Sequence, residues 1–205
     1  MTANPDPTRQ FYEVNAETFV TETRAIDMHS LYAPFLARIP ADGHILDAGC
    51  GSGRDSRAFL DLGFRVTAFD ASPRMVHLAS LELGQSVHCL SFQALDWRCE
   101  FDAIWACASL LHVKMTELPD VLRRMARALR AGGVLYASFK YGQGERFHHG
   151  RHFSDFNAAS LKSLLHDTGV LAPIEIWITH DRRPGRSDEQ WLNVLLSPGV
   201  LSHQD

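Results

Sequence analysis

The 205-residue chain is defined first by what it lacks. No apolar run approaches the roughly 18–20 residues of a membrane-spanning helix. The stretch Val134-Leu-Tyr-Ala-Ser-Phe139 is typical of its longest. The N-terminus, Met-Thr-Ala-Asn-Pro-Asp-Pro, has no basic region followed by an apolar one, so no secretory signal is expected. Positive charge is not in excess: 20 Lys+Arg face 24 Asp+Glu, which gives no electrostatic reason to expect nucleic acid as a partner. Cysteine is scarce, at 4 residues (Cys50, Cys89, Cys99 and Cys107), with no Cys-x-x-Cys pair and no histidine at zinc-finger spacing. Three of these cysteines lie in apolar stretches and read as small packed hydrophobes, which implies a reducing, cytoplasmic setting and no structural metal. Repeats, low-complexity tracts and long linkers are absent too. A chain that is 45% hydrophobic and 21% charged is expected to form one domain over residues 1–205.

Residues 1–7 carry two prolines and read as extended or disordered. Residues 8–39 read as two helical pieces: Phe11, Tyr12, Asn15 and Phe19 share one face, then Leu31, Phe35 and Ile39 another. Pro34 argues against one continuous helix. From residue 44 the pattern alternates. Strands are expected at 44–47, 64–70, 87–92, 101–107, 134–139, 174–179 and 191–196. Helices are expected at 54–62, after the Ser72-Pro73 cap, through Leu118–Leu129, and at 158–168. Strands separated by helices imply an α/β doubly wound, Rossmann-like fold with a largely parallel seven-stranded sheet. The short 180–190 connection suits a hairpin and one antiparallel strand.

The strongest motif is Ile45-Leu-Asp-Ala-Gly-Cys-Gly-Ser-Gly-Arg-Asp-Ser56. A glycine-rich turn between strand and helix lets a ligand approach backbone beside a positively polarised helix N-terminus. Dinucleotides and S-adenosylmethionine both use such a turn. The dinucleotide pattern Gly-x-Gly-x-x-Gly fails here, because Arg54 stands at the third glycine's place and would crowd the helix packing. Asp70, at the end of the second strand, would accept ribose hydroxyls in either case.

The chain resembles the class I S-adenosylmethionine-dependent methyltransferases over about residues 10–197. Besides Asp47–Gly53, the resemblance rests on Phe69-Asp70, Gln93-Ala-Leu-Asp96, Phe101–His112 and Leu129-Arg-Ala-Gly-Gly-Val-Leu-Tyr136. The last has Arg-Ala where the family has Lys-Pro. The Gly-Arg-Asp-Ser run is similar to a small-molecule branch that includes tellurite-resistance enzymes.

The resemblance implies strand order 3-2-1-4-5-7-6 with the seventh strand antiparallel, and S-adenosyl-L-methionine as cofactor. It also implies that residues 8–39 close over that cofactor. Asp47, Gly49, Cys50, Gly51 and Gly53 would form the loop around its methionine part, and Asp70 with Ala71 would take the ribose. Asp96 would meet the adenine amino group with Leu95 and Trp97 packing on the ring, and carbonyls near Ala106 would accept from the ammonium.

The implied reaction is methyl transfer to a small-molecule acceptor. A cofactor-holding regulatory module and a nicotinamide-dependent oxidoreductase are the alternatives. His112, Tyr12 and Tyr141 are the candidate catalytic residues on the acceptor side, each of which could equally be a packed or rim residue. His148, His149 and His152 read as a polar loop rather than a metal site. Arg182, Arg183 and Arg186, around Pro184-Gly185, read either as a solvated hairpin tip or as recognition of an anionic acceptor.

Overall fold

The structure, a computed structural model, describes residues 6–183 and 185–199. Three short helices come first: α1 (Pro7–Val14), α2 (Ala16–Thr23) and α3 (His29–Leu36). They lead into β1 (His44–Ala48), α4 (Arg54–Asp61), β2 (Arg65–Asp70), α5 (Pro73–Leu83), β3 (His88–Cys89) and β4 (Phe101–Ala106). Then follow α6 (Leu118–Ala128), β5 (Leu129–Lys140), β6 (Gly144–His148), β7 (Arg151–Asp155), α7 (Ala158–Thr168), β8 (Leu171–His180) and β9 (Gln190–Pro198).

The main sheet has seven strands in the order β3-β2-β1-β4-β5-β9-β8. Its first five strands are parallel, and β9 runs antiparallel to both neighbours. This is the expected doubly wound topology, with β8 and β9 in the places of the sixth and seventh strands. The renumbering comes from β6 and β7, a separate antiparallel hairpin inserted after β5.

Alternation along the central strands decides which layer each side chain joins. Ile45, Ala103, Trp105, Val134 and Tyr136 pack with Tyr32 and Phe35 of α3 and Phe59 of α4. Leu46, Ile104, Leu135 and Ala137 face the other way, towards Val121, Leu122 and Met125 of α6 and Leu161 and Leu165 of α7. Trp105 and Tyr136 stack at 3.9 Å between ring centroids. Both faces of the central strands are therefore covered, which leaves their ends open for a ligand.

Several expectations change in detail. Three helices, not two pieces, fill the N-terminal segment. Pro34 lies inside α3, which ends two residues later at Leu36. Asp6 caps α1 by accepting from the Thr8 N–H at 2.9 Å, and Pro7 begins the helix, so the extended reading fails for these two residues. Residues 1–5 lie outside the described residues, as does Pro184. The third strand shrinks to two residues. Cys89 and Cys99 are exposed, against the packed reading, whereas Cys50 and Cys107 line the cavity described below.

Candidate active site

A cavity of about 930 Å³ opens at the C-terminal ends of the parallel strands, where an open α/β sheet places its ligands. That volume lies at the upper end of the range for small-molecule pockets, roughly 300–1,000 Å³.

Its floor is the β1–α4 turn. Gly49, Gly51 and Gly53 all have positive φ (76°, 55° and 83°), and the Gly49 and Cys50 N–H groups both donate to the Phe69 carbonyl at 2.9 Å. A Cβ on Gly49 would stand 2.6 Å from Cβ of Ser109, so this close approach of two loops requires glycine. Gly53 instead packs the start of α4 against Ala79 and Leu83 of α5. The close-packing role expected of a third glycine thus falls to Gly53. Arg54 does not crowd that interface, because its guanidinium turns to Asp55 and the Thr23 carbonyl.

Asp70 lies at the next strand end. One carboxylate oxygen accepts from the Gly51 N–H and the other from the Ser72 N–H, both at 2.9 Å. Burial pushes its pKa up, and those backbone donors oppose the rise. Asp47 is buried beneath the loop and accepts from the Ser56 hydroxyl at 2.6 Å. Burial and the nearby Asp55 charge hold its pKa well above the usual carboxylate range. Ala71, Cys50, Gly49 and Gly51 line the cavity, whereas Gly53 does not.

The wall expected from residues 95–97 is displaced. A 3₁₀ turn at Phe92–Ala94 redirects the chain, burying Leu95 in the core and leaving Asp96 exposed. Trp97 packs on Phe69, His88 and Phe101, away from the cavity. Leu90, Ser91, Phe92 and Gln93 form the wall instead. Ala106 is likewise buried, and Cys107, Ala108 and Ser109 line the cavity one step further along. Ala108 adopts φ +52° there, and its N–H donates to the Ser138 hydroxyl at 2.8 Å.

On the opposite side, α1 and the inserted hairpin meet the loop after β4. The Tyr12 hydroxyl lies 2.9 Å from Nε2 of His112, and Nδ1 of His112 lies 2.7 Å from the His152 carbonyl. A carbonyl only accepts, so Nδ1 carries the proton and Nε2 accepts from Tyr12. Burial, opposed by the His152 carbonyl and reinforced by the Arg151 and His152 charges, pushes the His112 pKa down to about 4. Its imidazole is therefore neutral near pH 7, and a weaker base than an ordinary histidine. Burial raises the Tyr12 pKa, opposed by Arg151. Tyr141 stands apart on the outer wall, 45% exposed, and its hydroxyl makes no hydrogen bond among the described residues.

His148 and His149 lie at the exposed hairpin turn, while His152 turns to Glu145 at 3.0 Å. No group of three metal-ligating side chains converges among the described residues. Arg182 reaches Asp27 and Ser30, and Arg183 pairs with Asp181, so these arginines tie the β8–β9 connection down. Lys140, at the end of β5, is buried between Asp181 and Glu189 and lies 4.0 Å over the Trp191 ring.

Sequence reasoning also missed the use of the motif's Asp55. One of its oxygens accepts from the Tyr32 hydroxyl (2.6 Å) and Nε of Arg54 (2.6 Å). The other accepts from Nε1 of Trp105 (2.8 Å) and Nη2 of Arg54 (3.0 Å). The carboxylate next to the glycine loop thereby fastens α3 to the sheet.

Residues 45–133 match a protein family described as "Methyltransferase domain". These residues, less than half of the chain, are thus similar to a methyltransferase domain. A ubiquinone biosynthesis O-methyltransferase of Xanthomonas axonopodis pv. citri (strain 306) is 37% identical over 109 residues, 48% of this chain and 44% of that relative. The chain thus matches less than half the length of this curated relative. Among solved structures, a Burkholderia thailandensis 1,6-didemethyltoxoflavin N1-methyltransferase with bound 1,6-didemethyltoxoflavin and S-adenosylhomocysteine superposes with TM-score 0.75. It is 23% identical, with 93% of this chain and 87% of that one covered. The [4+2]-cyclase SpnF superposes with TM-score 0.73 at 19% identity, covering 96% and 98%. These likenesses establish the class I fold, and SpnF illustrates that the fold alone does not fix the reaction.

Proposed function

We propose that this class I domain binds S-adenosylmethionine and transfers its methyl group to a small-molecule acceptor. The observation that carries the reading is the convergence of the glycine turn and Asp70 with the facing Tyr12–His112 pair in one cavity. Each Asp70 oxygen commits one acceptor position to backbone and keeps capacity for the two hydroxyls of a ribose. The turn offers backbone free of Cβ atoms, and Leu90–Gln93 offer an apolar and polar wall for a base. These residues fit the cofactor.

When bound, S-adenosylmethionine supplies an electrophilic methyl group, so the protein's task is alignment, exclusion of water and, for O–H or N–H acceptors, removal of a proton. Tyr12 on α1 and Phe19 on α2 close the cavity from above, which supports a covering role for the N-terminal segment. The neutral His112 presents one lone pair, now held by Tyr12, with which to orient an acceptor proton. Tyr141 is left with a rim role.

Transfer of isotope from methyl-labelled S-adenosylmethionine into small molecules of a metabolite extract tests the proposal. Product masses raised by a methyl group are expected. Tight binding of S-adenosylhomocysteine with no labelled product would favour a non-catalytic module, and preferential binding of NAD would overturn the reading.

A further inference from the structure

Of the arginines on the cavity wall, Arg54, Arg146, Arg182 and Arg183 are each held by an aspartate (Asp55, Asp155, Asp27 and Asp181), and Arg186 lies 3.9 Å from Glu189. Arg151, on β7, has no carboxylate at ion-pair distance among the described residues. Arg9, which also lacks one, is exposed to water. Arg151 is instead clamped by rings: its guanidinium carbon lies 4.3 Å from the Phe11 ring centroid and 5.2 Å from that of Phe153. Its Nε is buried with no hydrogen-bond partner. It shares the cavity wall with Tyr12 and His112 and acts on the charge state of both. A half-buried cation with an unpaired donor, held rigidly beside a ligand cavity, is costly unless a ligand supplies the counter-charge.

We propose that Arg151 is the specificity-determining residue for the methyl acceptor and binds a carboxylate group on it. The proposal rests on the reading of this cavity as a methyl-transfer site. A single unpaired guanidinium suits a monoanion, and its planar fork matches a carboxylate's two oxygens. A phosphate dianion would leave one of its two charges without a partner on Arg151. Phe11 and Phe153 fix the guanidinium plane, so the acid is held at one orientation near Tyr12 and His112.

The test uses the full chain saturated with S-adenosylhomocysteine and titrated calorimetrically with benzoate and 4-hydroxybenzoate, against benzamide and 4-hydroxybenzamide as neutral counterparts. The acids are expected to bind roughly 10–100-fold tighter than the amides, the value of a charge-assisted contact. Arg151→Met, which keeps an apolar stem between the two rings, should erase that preference and leave S-adenosylhomocysteine affinity unchanged. Arg151→Lys should keep part of it. The assignment is overturned by equal binding of acids and amides, by no acid binding at millimolar concentration, by preferential binding of phenyl phosphate, or by an acid preference that survives in Arg151→Met. Should S-adenosylhomocysteine fail to bind the wild type, the methyl-transfer reading fails. The acids are then titrated against the free protein, where the same dependence on Arg151 is expected.

Discussion

Replacing Asp55 by Asn is the most searching perturbation of the link between the glycine motif and the N-terminal helices. The carboxylate is 6% exposed and accepts four hydrogen bonds, two on each oxygen. An asparagine must turn its NH2 towards one pair of donors. Facing Tyr32 and Nε of Arg54, it leaves the tyrosine able to rotate and accept, but Arg54 loses a partner. Facing Trp105 and Nη2 of Arg54, it opposes two fixed N–H donors. Either way the half-buried Arg54 loses its counter-charge. Breaking such a pair on one side costs about 3–5 kcal/mol. One opposing effect reduces this: the Asp55 charge is among the causes that raise the pKa of Asp47, so its removal eases ionisation of that buried acid. The expected loss therefore lies towards 3 kcal/mol, a shift in Tm of roughly 6–12 °C for a chain of this size.

Urea unfolding at pH 7, followed by tryptophan fluorescence, measures it. Tyr32→Phe, which removes one charge-assisted bond from the same oxygen, should cost about 1.5–3 kcal/mol. Amide exchange in α3 should accelerate in Asp55→Asn before that in the central strands. A change below 1 kcal/mol at unchanged m-value would refute the stapling role.

Other perturbations separate cofactor, loop and proton chemistry. Asp70→Ala should weaken S-adenosylhomocysteine by about 1.5–3 kcal/mol in calorimetry. It should also lower stability, because the Gly51 and Ser72 N–H groups lose their acceptor; unchanged affinity in a folded variant would remove Asp70 from the site. Gly49→Ala, at φ +76° and with its Cβ driven against Ser109, should cost at least about 1–3 kcal/mol and abolish cofactor binding, measured by thermal shift with and without S-adenosylhomocysteine. His112 should titrate near pH 4 by NMR, below its ordinary value of 6.5. The unfolded chain then takes up this proton first, so stability present above about pH 6.5 is lost as pH falls towards 4, and His112→Gln should flatten that slope.

The fold was legible wherever local chemistry and burial agree. Residues 158–168 form α7 as read, because Asn157 and Ser160 build a capping box at one end and Gly169 takes φ +65° at the other. Strands β1 and β4 announce themselves as apolar runs because both sheet faces are covered. The β6–β7 hairpin was illegible for the opposite reason. Four of the five residues in β6 are exposed, so no alternating apolar pattern marks it, and its histidines read as loop. The displaced wall at 90–93 has the same kind of cause. The 3₁₀ turn that sends Leu95 into the core leaves no periodic signal in three residues.

The acceptor side was least legible because its chemistry is assembled across the chain. Sequence order brings His112 only to the end of β4. Its tautomer is set by a carbonyl 40 residues later, its partner hydroxyl lies 100 residues earlier, and its basicity is lowered by Arg151 as well as by burial. That last link makes the base strength of the site depend on what occupies it. A carboxylate on Arg151 would neutralise one of the charges holding His112 down, and so move its pKa back towards the ordinary value as the acceptor arrives. The imidazole would then gain basicity when a proton has to be taken. Titration of His112 by NMR with benzoate bound, in wild type and in Arg151→Met, measures this coupling. The midpoint should rise on adding benzoate to the wild type and stay fixed in the variant. A rise of equal size in both would mean that benzoate acts on His112 directly, and that the two residues are not coupled through the acceptor.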